Sequence, residues 1–328
     1  MERLSDPMSA YRTFSAADSI ATPRSASKRR MRRKQIKADW QLYVLILPAV
    51  ISVLIFHYIP IYGIQIAFKD FRSSMGIWGS PWVGLEHFKR FVTYKDFWTI
   101  VTNTVTISLY SIAMFPISPI FALMLNELDN LRFKKTVQMI TYAPHFVSTV
   151  VVCAMVLLFL DRSNGLINNI IAALGGERVS FISVPEYFST IYVLSGEWKD
   201  LGWGTIIYMA ALSSISPELI EAAKIDGASR FQIVRYINVP SILPTIITLL
   251  ILRTGTVLSV GFEKIYLLQN SLNLPKSRVI STYVYEIGLR GGQFSYSTAI
   301  GLFNSVIEIL FIMFVNKLAK TFSETSLW

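Results

Sequence analysis

Six stretches along the chain are apolar for about the 20 residues that a bilayer core of about 30 Å requires of a helix. They run from Trp40 to Phe68, Phe97 to Leu125, Thr136 to Leu160, Tyr187 to Ser213, Pro240 to Gly261 and Tyr296 to Leu318. Pro48 and Pro60 lie in or near the end of the first, and Pro144-His145 marks a local helix irregularity in the third. Polar loops separate the stretches. Residues 161–186 hold a short interfacial helix around Gly165–Ile171, ended by Gly175-Gly176. Residues 69–96 carry Trp78, Trp82 and Phe88, and residues 262–295 carry Val279–Tyr285 followed by Gly288, Gly291 and Gly292. The expected fold is an all-α polytopic membrane protein with six transmembrane helices.

Composition agrees. Of 328 residues 52% are hydrophobic, 16% are charged, and the mean hydropathy is +0.47; soluble domains carry about 25% charged residues. Much of the +10 net charge sits in Lys28-Arg29-Arg30-Met31-Arg32-Arg33-Lys34, just ahead of the first span. Placed there it reads as a topology signal and an anionic-lipid contact rather than a nucleic-acid arm. It puts the N-terminus inside, and an even number of spans brings the C-terminus inside too. Residues 1–39 are then a cytoplasmic basic arm, polar and expected to be disordered, with no signal peptide visible; 40–328 form the transmembrane domain. Cys153 lies in an apolar run and excludes an intrachain disulfide.

The most informative polar island is 214–239, between the fourth and fifth spans. Ser216 can cap a helix that starts at Pro217. Leu219, Ala222 and Ala223 give that helix a small apolar face at i, i+3, i+4. Asp226-Gly227 breaks it, because glycine accepts the left-handed backbone of a sharp reversal. A second amphipathic run carries Phe231 and Val234, and Pro240 marks the return to the membrane. With the N-terminus inside, the parity of the spans places this loop in the cytoplasm.

No Gly-x4-Gly-Lys-Ser/Thr loop and no His-Glu-x-x-His spacing occurs, so the sequence offers no catalytic, metal or nucleotide site. His57, His87 and His145 are scattered. Ionisable groups inside spans are costly and tend to line cavities or pair. Glu197-Trp198-Lys199-Asp200 in the fourth span is the densest group, and a helix sets Glu197 and Asp200 on one side, facing a central path; the alternative is a span broken at Gly196 and Gly202 with the charges in an outer vestibule. Arg253 lies thirteen residues after Pro240, about 20 Å along a helix, with Thr254, Thr256 and Ser259 beside it. Asn103, Asn304 and Glu308 complete the candidate path lining. For Arg253, Asn103, Asn304 and Glu308 the ordinary alternative is a polar bond between helices. Trp198, Trp203 and Tyr208 suit the apolar faces of sugar rings, and equally suit a helical core.

Glu221-Ala222-Ala223, three residues, Gly227, nine residues, then Ile237-Asn238-Val239-Pro240 closely resembles the cytoplasmic signature loop of ABC import permeases. Val239 stands where the family has Leu. Leu45–Ala49, Phe56–Pro60, Tyr62-Gly63, Ile66–Phe71, Ile280–Tyr285 and Ala299–Phe303 resemble the oligosaccharide and polysaccharide (maltose-type) branch, which includes permeases for uronic-acid-bearing oligosaccharides such as those from alginate. The resemblance implies a type I importer permease fold in the bacterial inner membrane. It implies an ATPase dimer that uses ATP on separate chains, a second, non-identical permease, an external solute-binding protein and an oligosaccharide cargo. Glu221, Ala222, Ala223, Asp226, Gly227, Ile237 and Pro240 would then couple to the ATPase, Glu221 meeting a cation and Gly227 holding the bend. Lys199 and Arg253 suit a carboxylated sugar, while Glu197, Asp200 and Glu263 argue the other way. A self-contained secondary transporter or channel is the competing class; it would leave the Glu221–Pro240 spacing unexplained. A membrane enzyme would need a constellation that is not seen.

Overall fold

The structure is a computed structural model that describes residues 40–255 and 260–322. The basic arm 1–39, and Thr256 and Ser259 of the expected polar stripe, lie outside the described residues. Among those described there is no strand beyond one bridge pairing Lys69 with Trp82; the rest is helix and connection.

Four helices are long and apolar enough to cross a membrane, and two bent pairs bring the number to as many as six. Trp40–Phe68, Phe97–Asn126 and Phe294–Leu318 reproduce the first, second and sixth predicted spans. The first begins with α1 (Trp40–Val53). The chain divides into two compact units, Met1–Tyr62 and Gly63–Trp328; the bundle and both candidate sites belong to the second. There, α2 (Glu86–Val92) precedes the second span, formed by α3 (Phe97–Ala113) and α4 (Ile117–Asn126). The last span is α14 (Phe294–Phe322).

The third and fifth spans differ from expectation. α5 (Leu131–Tyr142) and α6 (Thr149–Phe159) meet at 105° across a 3₁₀ turn over Ala143–Phe146. Pro144 removes a backbone donor, Val147 is extended, and Ser148 then caps α6 by accepting the Val151 N–H. What reads as one rod with an irregularity is a sharply broken pair.

The fifth span runs over Arg230–Thr254, not 240–261. α10 (Arg230–Ile233) passes through a π turn at Val234–Asn238 into α11 (Val239–Thr254). Pro240 is therefore inside a continuous helix. A proline ring clashes with the carbonyl four residues back; here that is Tyr236, within the π turn, where the Val239 N–H reaches back to the Val234 carbonyl and the helix widens. The same device precedes Pro60, after a π turn at Leu54–Tyr58.

α8 (Phe188–Ser213) is the hub of the second unit. Phe188 and Val193 pack with Ile107, Cys153, Ile265, Leu268 and Val279, so Cys153 is the buried apolar filler expected of it. Lower on the same helix, Tyr208 and Leu212 pack with Phe115, Ala122 and Ile242, placing Tyr208 in the core. Gly202 lets α5 approach, since a Cβ there would lie 2.3 Å from the Thr141 carbonyl oxygen. A third cluster joins α2 and α3 to α13 (Ile280–Tyr285) and α14 through Phe91, Phe97, Tyr283 and Ile300. Between α6 and α8 lies the predicted short helix, α7 (Leu166–Ala173), closed by Gly175 at φ +83°.

Candidate functional site

α9 (Pro217–Ile225) leaves the end of α8 at 72°. Pro217 opens it and Ser216 occupies the cap position, but the Ser216 side chain makes no capping bond, contrary to expectation. The cap that does form is one turn-element later: Ser229 and Gln232 bond reciprocally to each other's backbone N–H and start α10. The helix stop is a Schellman turn. The Ala228 N–H reaches the Ala223 carbonyl at 2.9 Å, the Gly227 N–H reaches the Lys224 carbonyl at 3.1 Å, and Gly227 sits at φ +82°.

No residue of α9 is buried. Glu221, Ala222 and Asp226 are exposed, Ala223 and Ile237 half-buried and Pro240 exposed. Glu221 makes no hydrogen bond or ion pair among the described residues. Around it Ile225 is 86% exposed, Phe231 70% and Tyr236 67%. Large apolar side chains so exposed on a polar loop mark an interaction surface. The far limb of the loop is tied to the α4–α5 connection, where Arg230 pairs with Asp129 at 2.8 Å and the Asn238 amide donates to Glu127 at 3.4 Å.

A second site lies inside the bundle. Glu197, Lys199, Asp200 and Arg253 line a cavity of about 290 Å³ together with Thr149, Tyr192, Gly196, Glu263 and Lys264. Glu197, Asp200 and Arg253 also line an adjoining cavity of about 390 Å³ with Ser118, His145 and Trp203. Both acidic residues of α8 are answered. The Arg253 guanidinium donates to Glu197 at 2.5 Å, and His145 lies 2.9 Å from Asp200 through Nδ1. The His145 ring stacks flat on Trp203, centroids 4.5 Å apart. Among the described residues Lys199 donates only to the Thr149 hydroxyl, at 3.4 Å. Lys264, on α12 (Phe262–Leu268), donates to the Tyr192 carbonyl at 2.5 Å and lies over the Tyr192 ring. Burial pushes its amine down to about 8, against the pull of Asp200 and Glu197 and with the push of Lys199.

The remaining path candidates are not brought to this cavity. Trp198 lies about 100° around α8 from Glu197 and lines a separate apolar cavity of about 480 Å³ with Phe159, Phe181 and Leu194. Asn103 is buried and donates to the carbonyls of Pro275 at 2.9 Å and Arg278 at 3.0 Å, holding the loop before α13. Asn304 donates to Glu308 at 2.8 Å within α14. Lys264 and Thr149, by contrast, escape sequence reasoning. The lysine's one signal is a lone cation in Val260–Ile265, a stretch that hydropathy assigns to an outer loop.

The profile of the family described as binding-protein-dependent transport system inner membrane component matches residues 118–322. The chain belongs to that family. As a permease it also has near relatives along almost its whole length. It is 43% identical over 304 residues to the polygalacturonan/rhamnogalacturonan transport system permease protein YteP of Bacillus subtilis, spanning 92% of this chain and 95% of that one. It is 30% identical to the trehalose/maltose transport system permease protein MalF of Thermococcus litoralis, over 85% and 93% of the two chains. Among solved structures, a bacterial alginate ABC transporter in complex with an alginate pentasaccharide-bound periplasmic protein superposes with a TM-score of 0.82 at 40% identity, covering 90% of this permease and 99% of that chain. The type I importer permease fold expected from the sequence is thus the fold observed. The family match takes in the α9 loop and the polar cavity; α1 lies ahead of it.

Proposed function

We propose that this permease forms half of the path by which an oligosaccharide, delivered by an external binding protein, enters the cell at the expense of ATP hydrolysed on separate chains. In this reading the N-terminus, the C-terminus and the α9 loop face the cytoplasm of a bacterial inner membrane. A second, non-identical permease supplies the other half of the path. The names of the relatives, polygalacturonan and rhamnogalacturonan for one and the acidic polysaccharide alginate for another, favour a uronate-bearing chain as cargo.

The observation that carries the coupling role is the geometry of α9. A short helix set at 72° to its span offers a Glu221 without a partner among the described residues and exposed Leu219 and Ile225, and stops in a fixed glycine turn. A rigid, apolar-edged projection of this kind fits a cleft on a soluble partner and transmits that partner's motion to α8 and α11, which it joins. The test is the ratio of uptake to ATP hydrolysis in vesicles holding the whole transporter. Replacing Glu221 with Ala and Gly227 with Val together should leave hydrolysis running while uptake stops. Normal uptake by that variant would remove the coupling role from this loop.

A further inference from the structure

The polar cavity contains three cations and three carboxylates from α8, α11 and α12, and the sequence alone leaves their balance undecided. The geometry resolves it. Arg253 is committed to Glu197, and Asp200 to His145. The two lysines are left with no carboxylate within ion-pair distance among the described residues. Each ammonium has three donors, and each has one neutral acceptor here, Thr149 for Lys199 and the Tyr192 carbonyl for Lys264. Glu263 has no hydrogen-bond or ion-pair partner among the described residues, and the partner of Asp200 is His145, an imidazole that carries charge only when protonated; both carboxylates are exposed, whereas both lysines are half-buried. Two part-desolvated ammonium groups with unspent donors therefore share the cavity with two exposed carboxylates, neither within ion-pair distance of them.

Gly196 leaves room for the Lys264 amine at the cavity wall: a Cβ there would stand 2.9 Å from it, close enough to make the flexible end of the lysine shift. Beside it, the stacked His145–Trp203 pair gives the adjoining cavity a flat aromatic wall. Sugar rings have apolar C–H faces that pack on such walls.

We propose that Lys199 and Lys264 form a station on the path that receives the carboxylate of a passing acidic sugar residue. The proposal rests on the import reading above and assigns chemistry to two of its side chains. Lys199 comes from the span side and Lys264 from α12, so the carboxylate is gripped between two elements. Arg253 does not serve this purpose; its charge is already spent on Glu197 and it keeps that carboxylate from repelling the cargo.

The test is equilibrium binding of a labelled uronate oligosaccharide, and of the same oligosaccharide with its carboxyls reduced to hydroxymethyl groups, to the complete permease–ATPase complex in nanodiscs without the binding protein. Uptake of the acidic oligosaccharide by wild-type vesicles, with the binding protein added, is measured alongside. A charge-assisted hydrogen bond contributes about 1.5–3 kcal/mol, so the wild-type complex should favour the acidic form by about tenfold or more. Lys199→Gln and Lys264→Gln should each cut that ratio, and the double variant should bring it near one. Lys199→Arg should retain the preference. Glu263→Gln should sharpen it, which keeps the proposal open to refutation if the lysine variants do not assemble. A ratio near one in the wild type, a ratio that survives in the double variant, or no sharpening in Glu263→Gln overturns the station. If uptake proceeds while the ratio is flat, the station alone is lost; if the wild type takes up nothing, the import reading fails and the station with it.

Discussion

Gly227 is the residue on which the proposed coupling role of the α9 loop can be tested most finely. Its φ of +82° is left-handed, and a Cβ built there would meet nothing within 4 Å. Any effect of a small side chain is therefore conformational rather than steric. An L-residue in this region costs about 1–2 kcal/mol, less for Asn and more for a β-branched residue. The Schellman bonds from Gly227 to Lys224 and from Ala228 to Ala223 require that conformation. If a partner's cleft accepts only the closed turn, the strain appears as weaker docking. One to two kcal/mol is a factor of about 5–30. The assay is the affinity of the isolated ATPase for the permease pair in nanodiscs, with uptake per ATP measured on the same samples. Affinity should fall in the order Gly, Asn, Ala, Val, with Ala within that factor of the wild type. Because α9 buries no side chain, thermal stability of the bundle should hardly change across the series. Equal affinities for all four would refute the reasoning, and so would an Asn variant weaker than Ala.

Three further outcomes follow from the bundle. Gly202→Ala forces a methyl group to 2.3 Å from the Thr141 carbonyl oxygen, so backbone must move; it should cost about 1–3 kcal/mol in thermal or denaturant unfolding, whereas Gly204→Ala meets only the rotatable Ser118 hydroxyl at 2.8 Å and should cost less. Arg253→Gln strands Glu197, which is 13% exposed, and should destabilise by about 3 kcal/mol, the lower end for a buried pair because the arginine is 33% exposed; Arg253→Gln with Glu197→Gln should recover most of that loss, and failure to recover would mean the pair is not the cause. The preference for acidic over neutral cargo should be full at about pH 6–7, a unit or more below the Lys264 value of about 8, and fall towards the Lys264→Gln level as pH rises through that value, with no such fall in Lys264→Gln itself. For folding the sign is opposite. Between about 8 and the ordinary value of 10.5 the unfolded chain keeps a proton that the folded chain has lost, so stability from this group rises with pH.

Hydropathy made the spans legible because each needs a long apolar run, and the ends of Phe97–Asn126 and Phe294–Leu318 fall within a few residues of expectation. It reads length, not direction. The 105° turn at Pro144 therefore appeared only as an irregularity, and Pro240 as a boundary, because the π turn that absorbs its ring has no signature in residue type. The Glu221–Gly227 spacing was legible since a helix face and a left-handed stop each demand particular residues. The cavity was legible in part. Glu197 and Asp200 share a helix side by their spacing, and the structure puts both on the polar cavities. Adjacency in sequence groups Trp198 with them, yet one residue is a rotation of about 100°, enough to turn it into the apolar cavity. Lys264 was invisible because its place depends on α12 folding against α8 through Ile265 and Leu268, a contact between residues far apart in the chain.

Coupling requires α9 to stand where a soluble ATPase can reach it. Ile225, 86% exposed on that helix, can be changed to Cys in a chain whose buried Cys153 is changed to Ser. Treating sealed vesicles of each orientation with a membrane-impermeant thiol reagent then reads its side directly. Labelling confined to inside-out vesicles, and blocked when the ATPase is bound, is the predicted result; labelling of right-side-out vesicles would contradict it.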